Sequence, residues 1–524
     1  MRALLLTLSF CVCCEGTIGD ANGPNGPNGP NGFNPEDVRF ETRVWRLTPH
    51  HFASEVERLF GEGAPEVDLP ASTGENHLTN IAANGRINDG NAQAFATATR
   101  TIAAWVREGG AARARCDAFA TPACVDQVLD WLPEAAFRRS VTDAEKNELR
   151  TLFADNAADY GFDFAYAAMV QAILLHPSFL YRTELGDDRD DEMTELTGEE
   201  IATLLAFAVT DRGPDDALLG RADRLDDPDV REDEARRLMR ESGPMWQRFF
   251  WEWLHMETLD SQGVEVGMSA DLIAQVREEY ETFVANVIVS DGGTLRDLLT
   301  ATHTWSRPEL AAHYGAAHPG SGLERIELDP MQRGGLLTQA AWLVSHGKRG
   351  RANVVRRGMG LFKDAMCHEI EPPEDLDIEA EQAALAGPEA SVAEIVQIRG
   401  NHMTCGGCHR VADPVGLIFE SYASDGSWQT EYADDGRPVE TSIRLPLGSF
   451  DFAPELSRAL ADDLEFQHCF VQRLAHFMVG IDLGTPGAVT WTHDAHERFV
   501  EANTSFEELV VAMVRHPAFV ERRK

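Results

Sequence analysis

A chain of 524 residues is too long for one ordinary core, and about two to four domains are expected. Hydrophobic residues at 43% and charged residues at 25% exclude wholesale disorder. A net charge of −40 argues against a nucleic-acid or anionic-lipid partner, because no basic patch is available to release counterions. Lysine occurs only as Lys146, Lys348, Lys363 and Lys524. The acidic excess reads first as a solubilising surface, with a saline or high-GC source or a cationic partner as the other readings.

The chain opens with Arg2 and an apolar run, Ala3 to Val12, too short to cross a bilayer permanently. Residues 1–14 are therefore expected to be a signal peptide, with Cys14 the best-placed cysteine for lipidation. Cys11 stands where a lipoprotein signal would carry Leu. Residues 15–40 contain Gly-Pro-Asn repeats and read as a flexible linker. The expected location is outside the cytoplasm, as a periplasmic or cell-surface lipoprotein or as a secreted protein. Any membrane attachment would run through a lipid on Cys14.

Helical signals dominate from there. Thr48-Pro49 starts a helix whose stripe is Phe52, Val56, Leu59 and Phe60, stopped by Gly61. Thr142 with Glu145, Thr197 with Glu200 and Ser505 with Glu508 read as capping boxes. The aromatic-rich stretch from Arg236 to Leu259 is expected to pack between helices. The runs ending His176-Pro177-Ser178-Phe179 and His516-Pro517-Ala518-Phe519 echo each other and suggest related helical units at the two ends. Their histidines read as helix-end residues that satisfy carbonyls or the dipole. Glu371 to Ala393, with Pro372-Pro373, reads as an acidic linker, and Tyr422–Tyr432 with Val439–Leu445 as a hairpin around Asp425-Gly426 and Asp435-Gly436.

Expected boundaries are 41–135 and 136–190 for two helical units and 191–325 for an aromatic-rich helical domain. Residues 326–455 form a domain around a Cys-x-x-Cys-His run, and 456–524 a C-terminal helical unit. The fold class is mainly α: a multi-domain helical body with a small cytochrome-c-like unit and a short β-hairpin insertion.

The chemistry lies in Cys405-Gly406-Gly407-Cys408-His409. A covalent haem c needs two thiols spaced for the porphyrin vinyl groups and an imidazole just after them for the iron. Other readings are a redox disulfide, a zinc site with His402 or His409, or chance. No second ligand pair at zinc spacing is present, and the surroundings do not read as a thioredoxin-like βαβ unit. Distal iron ligand candidates are Met478, His346, His476 and His468; Met403 is too close to Cys405 to reach the opposite face. With the three leading cysteines and the haem pair set aside, Cys116–Cys124 forms a local disulfide and Cys367–Cys469 a long-range one.

A series of short motifs in order resembles a known group. These are Arg46-Leu47-Thr48 to Leu59-Phe60-Gly61, Ala136-Phe137-Arg138-Arg139 with Thr142 and Glu145, and His176-Pro177-Ser178-Phe179-Leu180-Tyr181-Arg182. They continue with Leu196-Thr197, Pro214-Asp215-Asp216-Ala217-Leu218-Leu219, Arg333 to Gln339 and Arg356-Arg357-Gly358. Cys405 to His409 then precedes Asp413-Pro414-Val415-Gly416, Glu420 and Gly426-Ser427-Trp428, with Cys469 to Gly480 and Ser505 to Phe519 closing the series. The chain resembles exported multi-domain proteins abundant in planctomycetes and myxobacteria, built of the domains of unknown function 1587, 1595, 1592, 1588 and 1585 with a cytochrome-c-like segment. It departs from them at His346 to Arg351, in a polyproline reduced to Pro372-Pro373, and at Gly480-Ile481.

The resemblance implies a haem-associated redox or surface role, sometimes linked to polymer breakdown, and brings no established activity. Asp413 and Pro414 read as loop-shaping residues beside the haem. The functional expectation is an extracytoplasmic c-type haem protein that transfers electrons or does redox chemistry at the cell surface. Its counterpart would be a redox partner protein or a small-molecule or polymer substrate. An enzyme of this design would be a haem-dependent oxidoreductase. The alternative is a non-haem structural, carbohydrate-binding or partner-binding surface protein whose cysteines form disulfides. No Ser-His-Asp signature, zinc-protease motif or phosphate loop is present.

Overall fold

The computed structural model describes residues 40–70, 78–79, 87–88, 90–187, 192–349, 353–368, 390–403, 406–480 and 486–524. The expected signal peptide with Cys14, nearly all of the linker that follows and most of the acidic 371–393 segment lie outside the described residues.

Thr48 and Pro49 start α1 (Pro49–Phe60) for the reasons their residue types give. The Thr48 hydroxyl accepts the His51 N–H, Pro49 gives up a first-turn N–H that would have no partner, and Gly61 ends the helix at φ 86°. The buried face of α1 joins α2 (Ala92–Glu108), α3 (Pro122–Phe137), α4 (Asp143–Tyr160) and α5 (Phe162–Leu175) around one apolar cluster. The Cys116–Cys124 disulfide is formed beside it, with Cα atoms 5.1 Å apart. The Thr142–Glu145 box is closed in both directions.

A second, larger cluster runs from α6 (Gly198–Thr210) to the C-terminus. The aromatic helix α7 (Gly243–Trp253) lies at its heart. Phe249 and Phe250 meet Phe470, and Trp246 meets Phe506. The aromatic stripe is core. Thr197 and Glu200 close their box, whereas at Ser505 only the hydroxyl-to-Glu508 half is present.

The His-Pro echo is realised in three dimensions, but with the opposite hydrogen-bond sense from that expected. His176 Nδ1 accepts the Ser178 N–H and His516 Nδ1 accepts the Ala518 N–H, both at 3.1 Å. Each imidazole caps the start of the next turn rather than a carbonyl at the end of the last one. Proline at the first position leaves amides that need such an acceptor. Both turns lead into a strand, β3 (Tyr181–Glu184) and a C-terminal strand (Glu521–Arg523). The N-terminal segment joins the two: β1 (Phe40–Glu41) pairs parallel with the C-terminal strand, and β2 (Arg43–Arg46) pairs antiparallel with β3. Arg182 and Arg522 hold matching places after the two histidines. Arg522 donates to the buried Glu184, while Arg182 stacks 3.5 Å over Trp45 and 4.2 Å over Phe207.

The expected hairpin is corrected. Both Asp-Gly turns close, yet each carries a single bridge, Tyr422 with Trp428 and Glu431 with Pro438. Ile443–Leu445 pairs instead with Gly448–Phe450. Ile443, Leu445 and Phe450 are all buried, so apolar alternation selects that register. Pro438 is tolerated in its bridge because the ladder bonds there come from its neighbours, Tyr432 N–H to the Arg437 carbonyl and Val439 N–H to the Thr430 carbonyl, both at 2.9 Å.

Candidate functional site

Residues 406–409 of the Cys-x-x-Cys-His run lie in a small helical unit. After Ala340–Ser345, α8 (Val354–Met359) leads into a π-helical turn, Gly360–Ala365. The α9 helix (Val392–Asn401) takes the last two residues of the expected linker, because Ser391 and Glu394 form a complete capping box. That box was legible in the sequence and was masked by its acidic setting. The next helix, α10 (Gly406–Leu417), packs on both α8 and α9. A β-carbon on Gly358 would stand 2.1 Å from the Ala412 carbonyl oxygen, and one on Gly416 would stand 1.8 Å from that of Val354. Only glycine lets these two backbones approach so closely.

Cys405 lies outside the described residues, and the backbone of Cys408 belongs to the first turns of α10. His409 follows on the same helix, its side chain 20% exposed. Its Nδ1–H donates to Asp413 Oδ1 at 2.8 Å. Arg399 on α9 donates through Nε to the other oxygen, Oδ2, at 2.7 Å. Asp413 is fully buried. The result is a relay, Arg399 to Asp413 to His409, that holds the imidazole by one nitrogen and leaves Nε2 as its lone-pair end. A β-carbon on Gly407 would meet nothing within 4 Å, and Met403 is 98% exposed.

The loop-shaping reading of Asp413-Pro414 is corrected. Both residues lie inside α10, where Pro414 gives up one backbone bond and close glycine-mediated packing keeps the helix running. Arg399 is the site residue that sequence reasoning missed, and Asp413 was placed beside the site but read as shaping a loop. The i,i+4 spacing of His409 and Asp413 was the available signal, hidden by Asp-Pro as a turn dipeptide.

The four distal candidates fall on two other elements. His346 caps Ala340–Ser345, donates through Nδ1 to the Trp342 carbonyl at 2.9 Å, and lies with its ring edge over Gly360. Burial pushes its pKa down to about 4. Met478, His476 and His468 are on α11 (Leu464–Val479), which packs against α6, α7, a neighbouring helix, Pro486–Glu501, and the π-helical turn. Met478 and His476 are buried there, and His468 faces His496 with ring centroids 5.2 Å apart. The second disulfide, Cys367–Cys469, is formed with Cα atoms 5.7 Å apart and ties the segment after the π-helical turn to α11.

A second imidazole–carboxylate–guanidinium cluster joins the two cores. Asp211, just past α6, takes His51 Nε2 at 2.6 Å, His50 Nε2 at 2.7 Å and Arg248 Nε at 2.6 Å. His51 is 1% exposed, and burial, against the pull of Asp211, pushes its pKa down to about 3. Among the described residues no three His, Cys, Asp or Glu side chains are grouped to hold a metal ion, and no helix is long and apolar enough to cross a membrane.

Three family models match the chain. Residues 124–184 match a protein of unknown function (DUF1595), residues 196–316 another (DUF1592), and residues 333–432 a third (DUF1588). They are three of the five domains implied by the resemblance, and the last covers Arg399, His409 and Asp413. No curated protein and no solved structure matches.

Proposed function

We propose that this chain, which carries the DUF1595, DUF1592 and DUF1588 domains, is an extracytoplasmic c-type haem protein that works in electron transfer or redox chemistry at the cell surface. The observation that carries the reading is the state of His409. It directly follows Cys408, its Nδ1 proton is held by a buried carboxylate, and its Nε2 is left as the donor atom an iron would use. Ligating histidines are held in this way by a carboxylate on the far nitrogen. Cys405 and Cys408 would form the thioether links and His409 would bind the iron. When bound, haem c supplies a one-electron iron couple. Asp413 keeps the proton at Nδ1 and Arg399 fixes Asp413. The two formed disulfides support an oxidising compartment, in keeping with export and with a lipid on Cys14 or plain secretion.

The test is to make the full chain in a host that matures haem c and record its spectrum. The reading expects a Soret band that survives acid–acetone extraction and is lost in Cys405→Ser with Cys408→Ser. Colourless protein with a Cys405–Cys408 disulfide would overturn it in favour of a structural or binding role.

A further inference from the structure

We infer that Asp413 is a positioning residue that gives the His409 imidazole anionic character and so makes this a low-potential centre, biased toward ferric iron. The inference rests on the haem reading and specifies the redox character of that same site.

The physical case starts from the acceptor. Asp413 Oδ1 receives the His409 Nδ1–H at 2.8 Å from a side chain with no solvent exposure. Away from water such a charge-assisted hydrogen bond is stronger than one to a neutral carbonyl. Electron density moves onto the ring, Nε2 becomes more basic, and a more basic ligand favours the more positive oxidation state of a metal. Arg399 then sets how much of the carboxylate charge the imidazole feels. Its Nε bonds the second oxygen at 2.7 Å from another helix, and its side chain is itself mostly buried. The relay therefore contains one group that lowers the potential and one that moderates it.

The test uses the full chain matured with haem and measures covalent haem content before the midpoint potential. Asp413→Asn keeps an acceptor for His409 but removes the charge. It is expected to shift the reduced-to-oxidised ratio at the wild-type midpoint at least tenfold toward reduced, a rise of about 59 mV for a one-electron couple. Asp413→Glu should restore most of the wild-type value. Arg399→Gln, which keeps donors but removes the cation, should move the midpoint the opposite way. Haem-loaded variants that shift less than tenfold at Asp413→Asn, or shift with the same sign at both positions, would overturn the inference while leaving the haem reading intact. A wild-type chain without covalent haem would remove the haem reading itself.

Discussion

His51–Asp211–Arg248 and His409–Asp413–Arg399 contain the same three chemical groups in the same order, yet they sit in opposite surroundings. In the first, three cations or potential cations converge on one carboxylate, and the imidazole is sealed between the two cores. Burial holds it neutral, and the cluster works as a joint. In the second, two partners share the carboxylate, and the imidazole side chain is 20% exposed. The same triad is a rivet where it is enclosed and, on the reading proposed above, a ligand holder where the imidazole reaches solvent. Burial of the imidazole separates the two, 1% exposed at His51 against 20% at the His409 side chain.

The largest expected effect concerns how the second triad's unit is attached. Cys367–Cys469 closes a sequence separation of 102 residues, so replacing both with Ser should cost up to about 4.7 kcal/mol by chain entropy. Denaturant unfolding would measure it, and the short Cys116–Cys124 loop should cost clearly less. A similar cost for both pairs would show that loop length is not what matters.

Next comes the rivet itself. Asp211→Ala leaves Arg248 buried without its main partner and should cost about 3–5 kcal/mol in the same assay. Asp413→Asn keeps one acceptor oxygen for His409 but leaves Arg399 facing an amide, and should cost less, about 1–3 kcal/mol. Equal losses would erase the distinction between joint and ligand holder.

A buried carboxyl elsewhere in the larger core provides the contrast of an acid without a counter-cation hydrogen bond. Burial pushes Glu279 up to about 7, against the hydrogen bonds donated by Tyr314 at 2.6 Å and Thr304 at 2.9 Å. Its folded value lies above the unfolded one of 4.5, so its contribution is fully present below that pH and is lost as pH rises through about 7. Roughly 3 kcal/mol is at stake. Glu279→Gln should flatten the fall in melting temperature between pH 5 and pH 8, a window from about two units below the folded value to about one above it. Asp211 has the opposite sign: held well below the ordinary carboxylate range, it contributes at neutral pH and is lost only on strong acidification.

Much of this fold was legible where the signal was local. Thr48-Pro49 and Gly61 mark α1, and Thr142–Glu145 marks α4, because capping depends on residues three or four apart. The cysteine count led to both disulfides, and motif order led to the domains. What failed was decided across distance. Asp-Gly turns were visible at 425–426 and 435–436, but the strand at 443–445 chose its partner by burial of Ile443 and Phe450. Asp413 read as a turn residue until the packing of α8 against α10 kept it helical. The Arg399–Asp413 and His51–Asp211 contacts join separate elements, and no spacing in one chain announces them.

The central claim is that the run ending in His409 carries haem rather than a simple disulfide. The most direct measurement is the mass of the proteolytic peptide spanning Cys405 and Cys408, from chain made with haem c maturation. The account predicts one haem added across the two thiols. A peptide lighter by two hydrogens, the mark of a Cys405–Cys408 disulfide, would contradict it.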